Sequence, residues 1–257
     1  MPKSKGGAGE AALVEGPKVS GSLPLYAEPR AVNSITHKSV ALRTGQGDYF
    51  FAAKMPLVQV TVDEFERAML DYPIVFFGDD RQPFVVTSVE LEKNQFVSDG
   101  EYRTGAYIPA YLRRYPFVFA KDEGSDALIL CLDQASNRLA AAGEADTEAL
   151  FDGDTPTALT QQALSFCESY EGASARTRAF IDLVDELGLL ERQSAKYTPP
   201  ASDTSTLLLE YLTIDRARLD ALDAESFQKL RDAQFVGAAY AVAASQAQWM
   251  VLPLLQG

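Results

Sequence analysis

The sequence predicts an α+β fold, with a small mixed or antiparallel sheet in the N-terminal half and a helical C-terminal half packed on it. Three observations predict it. Up to about residue 150, short runs rich in Val, Ile, Phe and Tyr are punctuated by Gly, Pro and Asp turns, the pattern of short strands. Beyond that point apolar residues recur at helical spacing. With 257 residues, 47% of them apolar and 10% aromatic, the chain can bury a sizeable core. One compact unit is therefore expected, made of a disordered arm over 1–22, a sheet-rich lobe over 23–150 and a helical lobe over 151–257.

The arm mixes Gly, Lys, Ser, Ala and Pro without periodicity. Residues 40–42 and 49–52 are strand candidates around Gly45-Gln46-Gly47, and 58–62 alternates apolar and polar residues as another. Thr61 caps a helix whose positive end suits Asp63 and Glu64, with Val62, Phe65, Met69 and Tyr72 on one face until Pro73 ends it. Residues 74–77 read as a short buried strand, Gly78-Asp79-Asp80 as a turn and 84–91 as a second strand. A hairpin over 96–102 closes through Asp99-Gly100. Pro109 opens a helix of a turn or two over 110–115, and Pro116 stops it. Residues 117–120 and 127–132 then pair across a turn at 122–125.

In the second half, Thr155-Pro156 caps a helix striped by Leu159, Ala163, Phe166, Cys167 and Tyr170. A second helix from Ser174 carries Phe180, Leu183, Val184 and Leu187 and stops at Gly188. A Pro-containing linker over 197–205 leads to a strand over 207–212, with Glu210 facing solvent or an arginine. Asp223 caps a helix led by Phe227 and Leu230, and an Ala-rich terminal helix runs to Pro253. Its polar Ser245, Gln246 and Gln248 set the 235–252 segment below what a membrane-spanning helix needs.

The net charge of −13 disfavours nucleic acid and anionic membrane surfaces as partners, because such binders neutralise phosphates with clustered Lys and Arg. Cys131 and Cys167 show neither metal-knuckle nor redox spacing, and no secretory signal follows Lys3 and Lys5; a reduced, cytoplasmic protein is expected. His37 is the single histidine, so a two-histidine metal site is excluded, and no Gly-x-Ser-x-Gly elbow accompanies it. Phosphate-cradling glycine motifs are missing too; Gly6-Gly7-Ala8-Gly9 follows no strand, and no motif names a cofactor.

The densest chemical feature is Tyr107 to Phe117, where four aromatics, two prolines and the adjacent Arg113 and Arg114 share eleven residues. On a helix the two arginines point about 100° apart, so one is expected to be structural and the other available. A guanidinium among rings grips a carboxylate or phosphate bidentately, or stacks on a sugar or aromatic ligand. The opposing reading pairs both arginines with acids of the body and assigns the aromatics to the core.

The same residues resemble the SapC family of proteobacterial proteins. The resemblance is carried by Tyr72-Pro73-Ile74-Val75-Phe76, Asn94-Gln95-Phe96 leading to Asp99-Gly100, the Tyr107 to Phe117 segment and Cys131-Leu132-Asp133. It covers roughly 23–252 and departs from the family where Tyr102 stands near a common tryptophan. It implies a soluble protein, encoded in relatives' genomes beside TonB-dependent receptors, flavin-dependent tryptophan-halogenase-like proteins and carbohydrate-uptake genes. No reaction comes with it. The leading expectation is a non-enzymatic binding or accessory protein for a peptide, a carbohydrate-related ligand or a partner protein, with candidate ligand-binding residues Arg113, Arg114, Tyr107, Tyr111, Asn94, Asp133 and His37. The alternative is an enzyme modifying a peptide or sugar, which requires Arg113 or Arg114, Tyr111, Asp133 and Asn94, with His37 as an optional member, to meet in one pocket.

Overall fold

In the computed structural model, residues 19–20, 25–44, 48–122, 127–198 and 203–255 are described. Residues 1–18 and 21–22 of the 1–22 arm, Gly45-Gln46-Gly47 and residues 123–125 of the 122–125 turn lie outside them, while Val19–Ser20, expected in the disordered arm, is a strand paired with Lys121 and Asp122. The architecture is α+β, and every strand pairing is antiparallel. The largest sheet has five strands in the order Leu190–Tyr197, Thr206–Ile214, Ile74–Phe77, Gln82–Val86, Leu57–Gln59. It therefore draws strands from both sides of residue 150. Ile74, Val75 and Phe76 are buried on both faces, which suits a β-branched and aromatic run at the sheet's centre.

The Leu190–Tyr197 strand is a correction to the sequence reading, which saw only loop at Tyr197 and nothing before it. This strand lies at the sheet edge with mostly exposed residues, so it lacks the apolar alternation that announces a strand. Residues 49–52 are corrected too: Phe50–Ala52 is a 3-10 turn. Its geometry is set by Phe50 N–H donating to Asp48 and Tyr49 N–H donating to Gly100 O, and four apolar residues in a row carry no period to betray it.

Among the described residues there are six α-helices: α1 (Phe65–Ala68), α2 (Ala110–Arg113), α3 (Ala158–Glu186), α4 (Arg216–Asp220), α5 (Ala224–Asp232) and α6 (Val236–Ser245). The 29 residues of α3 are continuous, where two helices were expected. Gly172 sits within it at an exposed position where an added Cβ would meet nothing, so no backbone requirement breaks the helix there. Its cap is Thr157, two residues later than Thr155, which instead pairs in a short strand with Asp152. Gly188, at φ +65°, ends the helix as expected, with Leu189 N–H reaching back to Val184 O.

The polar residues of the Ala-rich tail have a structural reason. Ser245 Oγ accepts Ile74 N–H at 3.0 Å, and Gln246 Nε2 donates to Ile74 O at 2.9 Å. They satisfy backbone that the neighbouring strand leaves unpaired, since Thr206–Ile214 meets Ile74–Phe77 at Leu212 and Phe76. No helix among the described residues is long and apolar enough to cross a membrane.

A second sheet has the order Val19–Ser20, Phe117–Asp122, Leu128–Asp133, Pro29–Ala31. Its Phe117 and Leu132 pack with Leu42, Leu150, Phe151 and Cys167 into a smaller core. The helix α3 bridges the two cores: Cys167 belongs to the smaller one, and Tyr170, Phe180 and Val184 to the larger. The two arginines lie beside this bridge.

Candidate functional site

The chain entering α2 is held by two acids that flank α1. Glu64 Oε1 accepts Ala110 N–H at 2.7 Å and the Tyr107 hydroxyl at 3.0 Å, while Asp71 accepts Tyr107 N–H at 2.8 Å. The other Glu64 oxygen accepts Thr61 N–H at 2.8 Å and the Thr61 hydroxyl at 2.9 Å. One buried carboxylate thus ties the capped start of α1 to the start of α2. With Pro109 at its N-cap and Pro116 just beyond, α2 stops at Arg113 and leaves Arg114 as its C-cap.

Arg114 is 7% exposed. Its guanidinium carbon lies 4.1 Å from the centre of the Tyr170 ring, 4.7 Å from Tyr111 and 5.7 Å from Tyr26. Among the described residues no carboxylate pairs with it, and its Nε is buried without a hydrogen-bond partner. Burial pulls the guanidinium pKa down, but Tyr26, Tyr170, Tyr111 and Cys167 together carry it above its ordinary value. Burial likewise pushes Tyr26, Tyr111 and Tyr170 up, so at neutral pH the phenols are neutral. The cation therefore meets π surfaces and the Tyr26 and Tyr111 hydroxyls, and no carboxylate among the described residues pairs with it.

Arg113 is exposed. Its Nε donates to Ile108 O at 3.0 Å and its Nη2 to the Tyr107 hydroxyl at 3.1 Å, with its guanidinium over the Phe166 ring at 5.3 Å. Tyr107 itself is pushed up to about 12 by burial and by Glu64. A third arginine, Arg138, donates from Nη1 to Tyr115 O at 2.6 Å. Neither Arg113 nor Arg138 pairs with a carboxylate among the described residues.

All three guanidinium-bearing residues line one pocket of about 210 Å³, whose walls include Phe117, Leu159 and Phe166 and contain no acidic residue. In a chain of net charge −13 this is an inversion of the local charge. Another pocket, about 190 Å³ and bordered by Phe76 and Leu212, carries Arg192 and Glu210 together and so balances its own charge. A third, about 70 Å³ beside Trp249, is mainly apolar.

A family model described as SapC matches residues 32–252. The chain belongs to the SapC family. No curated protein and no solved structure matches it. The SapC match takes in Arg113, Arg114, Arg138 and both α3 rings, Phe166 and Tyr170, whereas Tyr26 precedes it.

Of the candidates read from the SapC sequence, Arg113 and Arg114 come together at the pocket. Tyr111 supports Arg114, and Tyr107 links Arg113 to Glu64. The other three lie elsewhere and have work in the fold. Asp133 is 1% exposed and accepts Glu28 N–H at 2.8 Å, the Tyr115 hydroxyl at 3.1 Å and Ala27 N–H at 3.3 Å. Asn94 Oδ1 accepts Phe96 N–H at 3.0 Å, while its Nδ2 is buried without a partner. His37 Nε2 is 2.7 Å from the Gln134 amide nitrogen, and burial lowers its pKa.

The reading missed Arg138, Tyr26 and Glu64. Arg138 sits in a polar loop with no period, and Tyr26 in a segment with no element at all. Phe166 and Tyr170, spaced i and i+4, were legible as part of a helix stripe but were given no place in a site. Among the described residues no group of three or more His, Cys, Asp or Glu is disposed to hold a metal.

Proposed function

We propose that this SapC-family chain is a non-enzymatic binding or accessory protein that takes its ligand in the arginine pocket. The ligand is a peptide, a carbohydrate-related molecule or a segment of a partner protein. The observation carrying this reading is Arg114, a buried cation with no carboxylate beside it, on the wall of a pocket that two further arginines line. Removing a guanidinium from water without a counter-ion is costly, and a bound group that accepts hydrogen bonds offsets that cost. The enzyme alternative gains nothing comparable: Asp133, Asn94 and His37 do not line the pocket.

The test is calorimetry and thermal denaturation of the full chain against saccharides and short peptides, alongside an Arg113→Gln/Arg138→Gln double variant. The reading expects at least one class to bind and to raise the melting temperature of the parent more than that of the variant. If no class binds, or if every binder stabilises both proteins equally, the reading is wrong.

A further inference from the structure

Resting on that reading, we infer that the arginine pocket selects a carboxylate borne on an apolar group, of the kind found at the C-terminal residue of a peptide or in a small hydrophobic acid. The first argument is charge. Arg113, Arg114 and Arg138 line the pocket without an acid among its lining residues, so a neutral ligand leaves the local positive charge uncompensated while an anion removes it. The second is donor geometry. Arg113 uses its Nε and Nη2 within the protein, and Arg138 its Nη1, leaving Nη1 of the first and both Nε and Nη2 of the second. The Nε–Nη2 edge of Arg138 is a planar fork of the kind that matches the two oxygens of a carboxylate.

The third argument concerns the rest of the wall. Lining side chains outside the arginines are mainly apolar or aromatic, with Leu159, Ala163 and Phe166 following one face of α3 at i, i+4 and i+7. No Lys, Ser or Thr lines the pocket and the Tyr115 hydroxyl is spent on Asp133, so the aliphatic hydroxyls and ammonium groups that commonly ring a phosphate are not supplied. At about 210 Å³ the pocket is smaller than the roughly 300–1,000 Å³ typical of drug-sized ligands. One charged head with one apolar side group is the matching size.

The experiment titrates the full chain calorimetrically with N-acetyl-L-phenylalanine, its C-terminal amide, phenyl phosphate and methyl glucoside. The tripeptide acetyl-Ala-Ala-Phe is added with a free or an amidated terminus. The free acid is expected to bind about tenfold or more tightly than the amide and the phosphate, with affinity falling as salt rises. Two variants at exposed positions of the wall leave the buried Arg114 alone. Arg113→Gln is expected to lower acid affinity about tenfold, and Gln162→Glu, which adds a carboxylate at the pocket, several-fold. A tripeptide acid that outbinds the single residue identifies a peptide terminus as the source, and equal affinities identify a small acid.

Equal binding of acid and amide, preference for the phosphate, or binding of the glucoside alone overturns the carboxylate inference while the binding reading stands. Acid binding untouched by either variant also overturns it, because the site is then elsewhere. Failure of every probe, saccharides and peptides included, takes the binding reading down with it.

Discussion

Tyr170 and Arg114 form a stacked pair, with the guanidinium carbon 4.1 Å from the ring centre and the Tyr170 hydroxyl buried without a hydrogen-bond partner. The ring and the hydroxyl of one residue therefore have opposite worth. The ring holds a desolvated cation, an interaction of about 2 kcal/mol. The hydroxyl loses its hydration and receives nothing.

Removing only the hydroxyl, in Tyr170→Phe, is expected to leave stability unchanged or to raise it by about 1 kcal/mol. Tyr170→Leu keeps apolar bulk but loses the π face, and is expected to be about 2 kcal/mol less stable than Tyr170→Phe. Urea denaturation of the two variants checks this; equal destabilisation refutes the stacking account.

Asp133 gathers two backbone N–H groups of the Ala27-Glu28 segment and the Tyr115 hydroxyl on one buried carboxylate. Asp133→Ala strands these three donors and the Ala135 N–H, and is expected to destabilise by about 3 kcal/mol. Asp133→Asn, which keeps one accepting oxygen, should lose clearly less. Equilibrium unfolding measures both, and a negligible loss in the alanine variant would show the carboxylate to be dispensable.

Gly100 sits at φ +82°, and a Cβ added there would approach the Phe50 ring to 2.5 Å. Gly100→Ala is expected to cost about 1–3 kcal/mol from backbone strain and the clash. Adding Phe50→Ala removes the clash and leaves the strain, so the double variant should lose less than the two single losses summed. Strict additivity would mean the ring moves aside freely.

Burial lowers the His37 pKa below its ordinary 6.5, against a smaller opposite effect from the Asn33 carbonyl. The unfolded chain takes up a proton as the pH falls through 6.5, while the native state resists until lower pH. The unfolded state then binds more protons in that window, so stability is full above it and declines as pH falls through it. His37→Gln is expected to flatten this decline between pH 7 and the lowered native value, read from urea midpoints; an unchanged slope would assign the decline to other groups.

Local signals account for what was legible in the fold. Thr61 begins its helical turn, Asp99-Gly100 turns with both residues at positive φ, Gly188 ends α3, and Asp223 accepts Ser226 N–H at the start of α5. Each depends on atoms within a few residues of one another. The Leu190–Tyr197 strand was hidden because an exposed edge has no need of alternation, and the continuity of α3 because a single Gly172 breaks a helix only when nothing outweighs its propensity. At the site, the arginine pair stood out by composition, yet which of the two is buried did not.

By itself the sequence determined the lineage, the α+β class, the turns and caps at Thr61, Asp99-Gly100, Gly188 and Asp223, and the presence of two arginines among aromatic rings. Tertiary structure alone decided that Arg114 is enclosed by Tyr26, Tyr111 and Tyr170 while Arg113 stays exposed, and that Arg138 joins them at one pocket. The reason is physical range. Caps and turns are set by neighbours along the chain, whereas the burial of one arginine and the convergence of two others on its pocket depend on strand pairing and on how α3 crosses both cores.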